Sequence, residues 1–124
     1  MTTEMDPANF RDDPLSYLEN RELSGITFVR DYVQLHFDSA FINAFVWPTI
    51  TTGDKAFKKQ TPGYRDVLCD QIGQHVVAAV AMPDTSISVH FQASVLEISL
   101  RDKDRIGPES ATFQDGSGKL WSVW

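Results

Sequence analysis

The stretch YVQLHF at residues 32–37 alternates apolar with other residues, and the chain reads SISVHF at residues 86–91. A period of two sends Val33, Leu35 and Phe37 to one side and Tyr32, Gln34 and His36 to the other, which is how a strand with one face on a core is written. The flanking segments alternate too: Ile26 and Phe28 before, then Ile42, Ala44 and Val46 after. In the second half, the apolar run at residues 76–82 precedes Ile87, Val89 and Phe91, and Leu96, Ile98 and Leu100 follow. Slid by 54 positions, Ile26 falls on Val80, Phe28 on Met82, Val33 on Ile87, Leu35 on Val89, Ile42 on Leu96 and Val46 on Leu100. Only His36 with His90 and Phe37 with Phe91 are identical over this span. The pattern therefore predicts two antiparallel three-stranded β-meander repeats that need each other, because one alone has too little apolar area to be stable. Arg30-Asp31, Ser39-Ala40 and Pro83-Asp84 supply the short turns.

Between the repeats lies TPGYRDVLCDQIGQ. Thr61 is suited to cap, Pro62 to the first helical position and Gly73 to a left-handed stop, so a helix is predicted over residues 62–72, with Tyr64, Val67, Leu68, Gln71 and Ile72 on one stripe. Asp13-Pro14 starts a second, short helix reaching about residue 20. Gly53 and the neighbouring lysines read as a connecting loop, DGSG as a turn, and residues 119–124 as a closing strand. The predicted class is α+β, with residues 1–21 an acidic extension and residues 22–124 a single domain. A closed barrel and an open sheet with a helix packed on it both satisfy this pattern.

The chain has 124 residues, 42% of them hydrophobic and 23% charged, enough for one domain with a stable core. Its formal net charge is -6, and phosphate backbones select basic partners, so no nucleic-acid face is expected. The basic cluster Lys55, Lys58 and Lys59 leaves room for a local anion contact only. The longest apolar run, residues 76–82, is far too short to span a bilayer, and the first residues are acidic where a signal peptide is basic. A cytoplasmic protein with no membrane association is expected. Cys69, the single cysteine, forms no internal disulfide, and acidic neighbours Asp66 and Asp70 oppose the thiolate a nucleophile needs.

His36 and Asp38 are two apart on one strand and share a face. If the repeats were related by a pseudo-twofold, His90 would approach them and complete a two-histidine, one-carboxylate metal set. The competing reading is two histidines on solvated strand faces. No phosphate loop, CxxC, HExxH or GxSxG occurs, and His75 has no nucleophile arranged around it. Phe41, Phe45 and Trp47 stand out more. They occupy outward positions of a strand whose other face is also apolar, whereas the matching positions of the second repeat, Val95, Ser99 and Arg101, are mostly polar. Such a row needs cover, from the chain's own ends, a second copy or a ligand, and marks a binding surface.

The motifs DYVQLHF, WP and PGYRD, with ISLRDKDRIGPESATF and a tryptophan-rich end, resemble a family of small bacterial proteins of unknown function, over residues 22–124. That resemblance implies one compact domain and brings no activity, cofactor or catalytic residue with it. The sequence thus points to a non-catalytic binding or protein-interaction domain, immunity-like proteins included, with a homodimer or another protein as partner and no cofactor. The alternative is a small metal-dependent enzyme or ligand-binding protein using His36, Asp38 and His90.

Overall fold

A computed structural model describes residues 13–124. Its strands are β1 (Gly25–Val29), β2 (Tyr32–Phe37), β3 (Ala40–Ala44), β4 (Thr49–Thr52), β5 (Lys55–Phe57), β6 (Ala78–Met82), β7 (Ser86–His90), β8 (Ser94–Ser99), β9 (Ala111–Gln114) and β10 (Trp121–Val123). The α-helix α1 (Tyr64–Cys69) separates β5 from β6, and 3-10 turns occupy Pro14–Leu18 and Asp102–Asp104. The strands form two antiparallel five-stranded sheets: sheet I in the order β1-β2-β3-β9-β10 and sheet II in the order β5-β4-β8-β7-β6. The chain passes from sheet I to sheet II through residues 45–48 and returns through residues 100–110.

This corrects the α+β expectation. Strand accounts for 43% and helix for 12%, so the protein is mostly β, and each sheet has five strands where a three-stranded meander was expected. The extra strands come from segments read as loop: TITT and KAF pair on the edge of β8, and ATFQ pairs with β3. The offset of 54 holds for one hairpin per sheet, since Val33 faces Ala44 and Ile87 faces Ile98. It fails for the other. Phe28 faces Val33 across a two-residue turn, but three residues, Pro83, Asp84 and Thr85, separate β6 from β7, and Met82 faces Ser86. A shift of one residue turns every side chain over. Ala79 and Ala81 therefore face inward, while Val80 and Met82, aligned above with core residues, are 38% and 54% exposed.

Alternation puts one face of each sheet into a single core. Val33, Leu35, Phe37, Ile42 and Phe113 come from sheet I, and Ile50, Ile87, Val89, Leu96 and Ile98 from sheet II. Each large side chain removed from water here contributes about 1.5–3 kcal/mol. Of the segment assigned above to an extension, residues 1–12 lie outside the described residues, and residues 13–18 belong to this core as well. Leu15 and Leu18 are fully buried, and the Tyr17 ring lies 6.5 Å from that of Phe113. Asp13 fixes the turn twice: its Oδ1 accepts the Leu15 N–H at 2.9 Å, capping the turn, and its Oδ2 accepts the Ala81 N–H at 3.1 Å, occupying an edge donor of β6. The short helix starts at Pro14 with Asp13 as its cap, is of the 3-10 type, and stops at Leu18.

Helix α1 is shorter than the predicted 62–72. Gly63, at φ 83, holds the N-cap position, and Thr61 instead accepts the Lys58 N–H through Oγ1 at 2.9 Å. Tyr64, Leu68 and Gln71 of the predicted stripe are buried, while Ile72 is exposed. No helix among the described residues is long and apolar enough to cross a membrane.

Candidate functional site

The outward side of sheet I is built by strand pairing into three cross-strand rows. Gly25, His36, Phe41, Gln114 and Trp121 form one, and Thr27, Gln34, Asn43, Thr112 and Val123 the next. Val29 and Tyr32 begin the third, and Phe45, just past β3, extends it with its ring 5.4 Å from that of Tyr32. None of these residues is Asp, Glu, Lys or Arg. The centre is held by an amide ladder: Gln34 Nε2 donates to Asn43 Oδ1 at 2.8 Å, and Asn43 Nδ2 donates to Thr112 Oγ1 at 3.2 Å. Around it Phe41, Phe45 and Tyr32 are half-buried, and Trp121 is 60% exposed. The helical turns pack elsewhere, Pro14–Leu18 against β6 and α1 against β4. The outer side of sheet II contrasts with this, carrying Ser86, Ser88, Ser99, Thr49, Thr51 and Glu97 beside the exposed Val80 and Met82, and no Phe, Tyr or Trp on its strands.

Two of the three aromatics singled out from the sequence lie on the sheet I face. Phe41 is a β3 residue and Phe45 follows it, but Trp47 does not continue the row. Strand β3 ends at Ala44, the backbone bends, and alternation no longer sets direction. Trp47 instead packs at the margin of the core, its ring centroid 6.0 Å from Phe28 and 6.4 Å from Tyr64. Two cations lie over this cluster, Lys59 Nζ 4.3 Å from the Trp47 centroid and the Arg65 guanidinium 4.8 Å from that of Phe28.

The metal set His36, Asp38 and His90 is not assembled. His36 lies on the outer side of sheet I, where its Nε2 is 2.9 Å from Thr27 Oγ1. His90 lies on the outer side of sheet II, opposite Val95, with the core between the two histidines. Asp38 takes φ 61 in the β2–β3 turn, and its N–H donates to Ser24 Oγ at 2.9 Å, so its place is that of a turn former. No group of three metal-ligating side chains occurs among the described residues.

Three groups among the described residues have displaced pKa values: the exposed Arg30 guanidinium is raised by its hydrogen bond to and charge pairing with Asp31, and the other two, Asp115 and Tyr64, hold parts of the fold in place. Ser117 donates its backbone N–H to Asp115 Oδ1 at 2.9 Å, which holds the carboxyl below its ordinary range and pins the turn before β10. Burial pushes the Tyr64 phenol well above its ordinary value, against a smaller opposing pull from Arg65, while its hydroxyl donates to the Pro48 carbonyl at 2.5 Å. That bond ties α1 to the crossover between the sheets. Tyr64→Phe is expected to cost about 1–3 kcal/mol, because it leaves a buried carbonyl unpaired. It should also flatten the alkaline limb of stability. In the wild type the unfolded chain ionises from about pH 10 while the folded phenol keeps its proton, so stability falls as pH rises through that range. Urea titrations of both proteins at about pH 8 and about pH 11 measure the difference.

No protein-family model matches the chain, and no curated protein or solved structure matches it. The resemblance drawn from the DYVQLHF, WP and PGYRD motifs gains no support from these comparisons. The sequence reading missed Tyr32, Gln34, Asn43, Thr112, Gln114, Trp121 and Val123 as members of the sheet I face. Alternation marked several of them as outward, but only the strand order places β9 and β10 beside β3.

Proposed function

We propose that the protein is a non-catalytic binding domain that engages another protein across the outer face of sheet I. The observation that carries this reading is the uncharged aromatic and amide surface of β1, β2, β3, β9 and β10, on a chain with a net charge of -6. Interface centres are depleted in charge and enriched in aromatic residues, and the amide ladder offers both donors and acceptors to a partner backbone or side chain. Trp121 stands at the edge of this face as its most exposed ring, the residue type that most often dominates binding energy.

The test is site-specific photocrosslinking in cells of the source organism. A photoreactive phenylalanine analogue at position 41 is expected to give one dominant protein adduct, lost in the Trp121→Glu variant, while the same analogue at position 88 on sheet II gives none. An adduct of twice the chain's mass identifies the partner as a second copy. Equal adducts from both positions, or an adduct indifferent to Trp121→Glu, overturn the proposal.

A further inference from the structure

The second distinctive region lies on the other sheet, and nothing in the reading of sheet I depends on it. Here the surface is charged, with more cations than carboxylates. Lys58 after β5, Arg101 before the Asp102–Asp104 turn and Lys103 within it line one cavity of about 230 Å³, floored by the β-strand residues Thr49, Ser86 and Ser99. Among the described residues none of these three cations forms an ion pair, although Arg105 in the same loop is paired with Asp102 at 3.4 Å. A second cavity of about 290 Å³ shares Thr49, Lys58, Ser99 and Asp104 with the first, and is walled by Trp47, Val46 and Ile106. The two adjoin as one cleft, with Arg101 and Lys103 at one end, Trp47 and Lys59 at the other, and Lys58 lining both.

Carboxylates are present too. Glu97 lines the cationic cavity, and Asp104 lines both and accepts the Ser99 hydroxyl at 2.6 Å. A simple anion would be repelled by them, whereas a ligand that carries hydroxyl donors beside its anionic group would use them as acceptors. We propose that this cleft binds a nucleoside monophosphate: the phosphate on Lys58, Arg101 and Lys103, the sugar hydroxyls toward Glu97 and Asp104, and the base toward Trp47. Each part of the cleft then meets chemistry of matching type. Lys58, Arg101 and Lys103 along one cleft of an acidic protein attract anions there, and Trp47 is held in place by its packing on Phe28 and Tyr64.

Isothermal titration calorimetry of the full chain with AMP, GMP, CMP and UMP tests this, with ribose 5-phosphate and adenosine as partial ligands. At least one monophosphate is expected to bind more tightly than ribose 5-phosphate, and adenosine weakest of all. Lys58→Ala with Arg101→Ala removes charge-assisted contacts from a solvent-facing wall and should weaken that monophosphate by about 10- to 100-fold, with an unchanged far-ultraviolet spectrum. Absence of heat from all four monophosphates at about 5 mM overturns the proposal. So does a nucleotide affinity unaffected by the double variant, or adenosine binding as tightly as AMP.

Discussion

Leu18→Ala is expected to lower the unfolding free energy by about 2–5 kcal/mol, the cost of emptying a fully buried leucine site that can only partly collapse. Leu18 lies in a 3-10 turn, where isolated structure has almost no stability of its own. Its contribution therefore comes from the core it completes with Leu15, Val33 and Phe113. For a chain of this size that loss corresponds to a fall in Tm of roughly 10 °C or more. Ile106→Ala is the control, since Ile106 is 86% exposed and surface truncations stay within about 0.5 kcal/mol. Urea denaturation of both variants decides the matter. A Leu18→Ala effect as small as that of Ile106→Ala would mean that the segment before Glu22 folds outside the domain, as the bare sequence suggests.

Why that segment looked like an extension is plain in physical terms. Leu15 and Leu18 are three apart in a run of acidic and breaker residues, and a five-residue turn is too short to establish a period. What holds it is long-range: the Asp13 carboxylate on Ala81 N–H, and the Asn20 N–H on the Val76 carbonyl at 2.7 Å. No local pattern announces such partners. The strands around residues 32–37 and 86–91 were legible because alternation is a local property and their turns are short. The β4–β5 hairpin was legible in principle: Ile50 and Phe57 flank Gly53-Asp54, a favoured two-residue hairpin turn, and Gly53 takes φ 62. The three lysines nearby made the segment read as a connecting loop with a local anion contact, and not as a hairpin.

The candidate site divides in the same way. Strand alternation placed Phe41 on an outer face, because one residue sets the direction of the next. It misplaced Trp47, because alternation was carried past Ala44, where the strand stops. His36 and His90 are equivalent in the sequence offset, and equivalence was taken to imply approach. In a two-layer protein it implies the reverse, since outward positions of the two sheets point away from each other across the core. The proposed nucleotide cleft was legible only in Lys58, which the basic cluster marked for a local anion contact: Lys58 lies more than forty residues from Arg101, and only the pairing of β4 with β8 brings their segments together.

Gly116→Ala is the second substitution expected to have a large effect, and it reaches the binding face indirectly. Gly116 sits in the turn between β9 and β10 at φ 91, a conformation that costs a non-glycine residue about 1–2 kcal/mol. An added Cβ would also stand 2.6 Å from the Ser39 carbonyl oxygen and 2.8 Å from Ser39 Cβ. The first of those atoms is backbone of the β2–β3 turn, so the two turns must separate, adding about 1–3 kcal/mol of overpacking. A loss of about 2–5 kcal/mol is expected in all. Gly53→Ala isolates the conformational part, because Gly53 also has positive φ, at 62, but no atom within 4 Å of a built Cβ. Its cost should stay near 1–2 kcal/mol. Since β10 pairs only with β9 in sheet I, separating the turns should first free Trp121 and Val123. Faster amide exchange at residues 121–123 and loss of the position-41 crosslink are therefore expected in Gly116→Ala and not in Gly53→Ala. Equal destabilisation by the two substitutions would show that contact between the turns contributes nothing, and that β10 keeps its place on the face by its pairing with β9 alone.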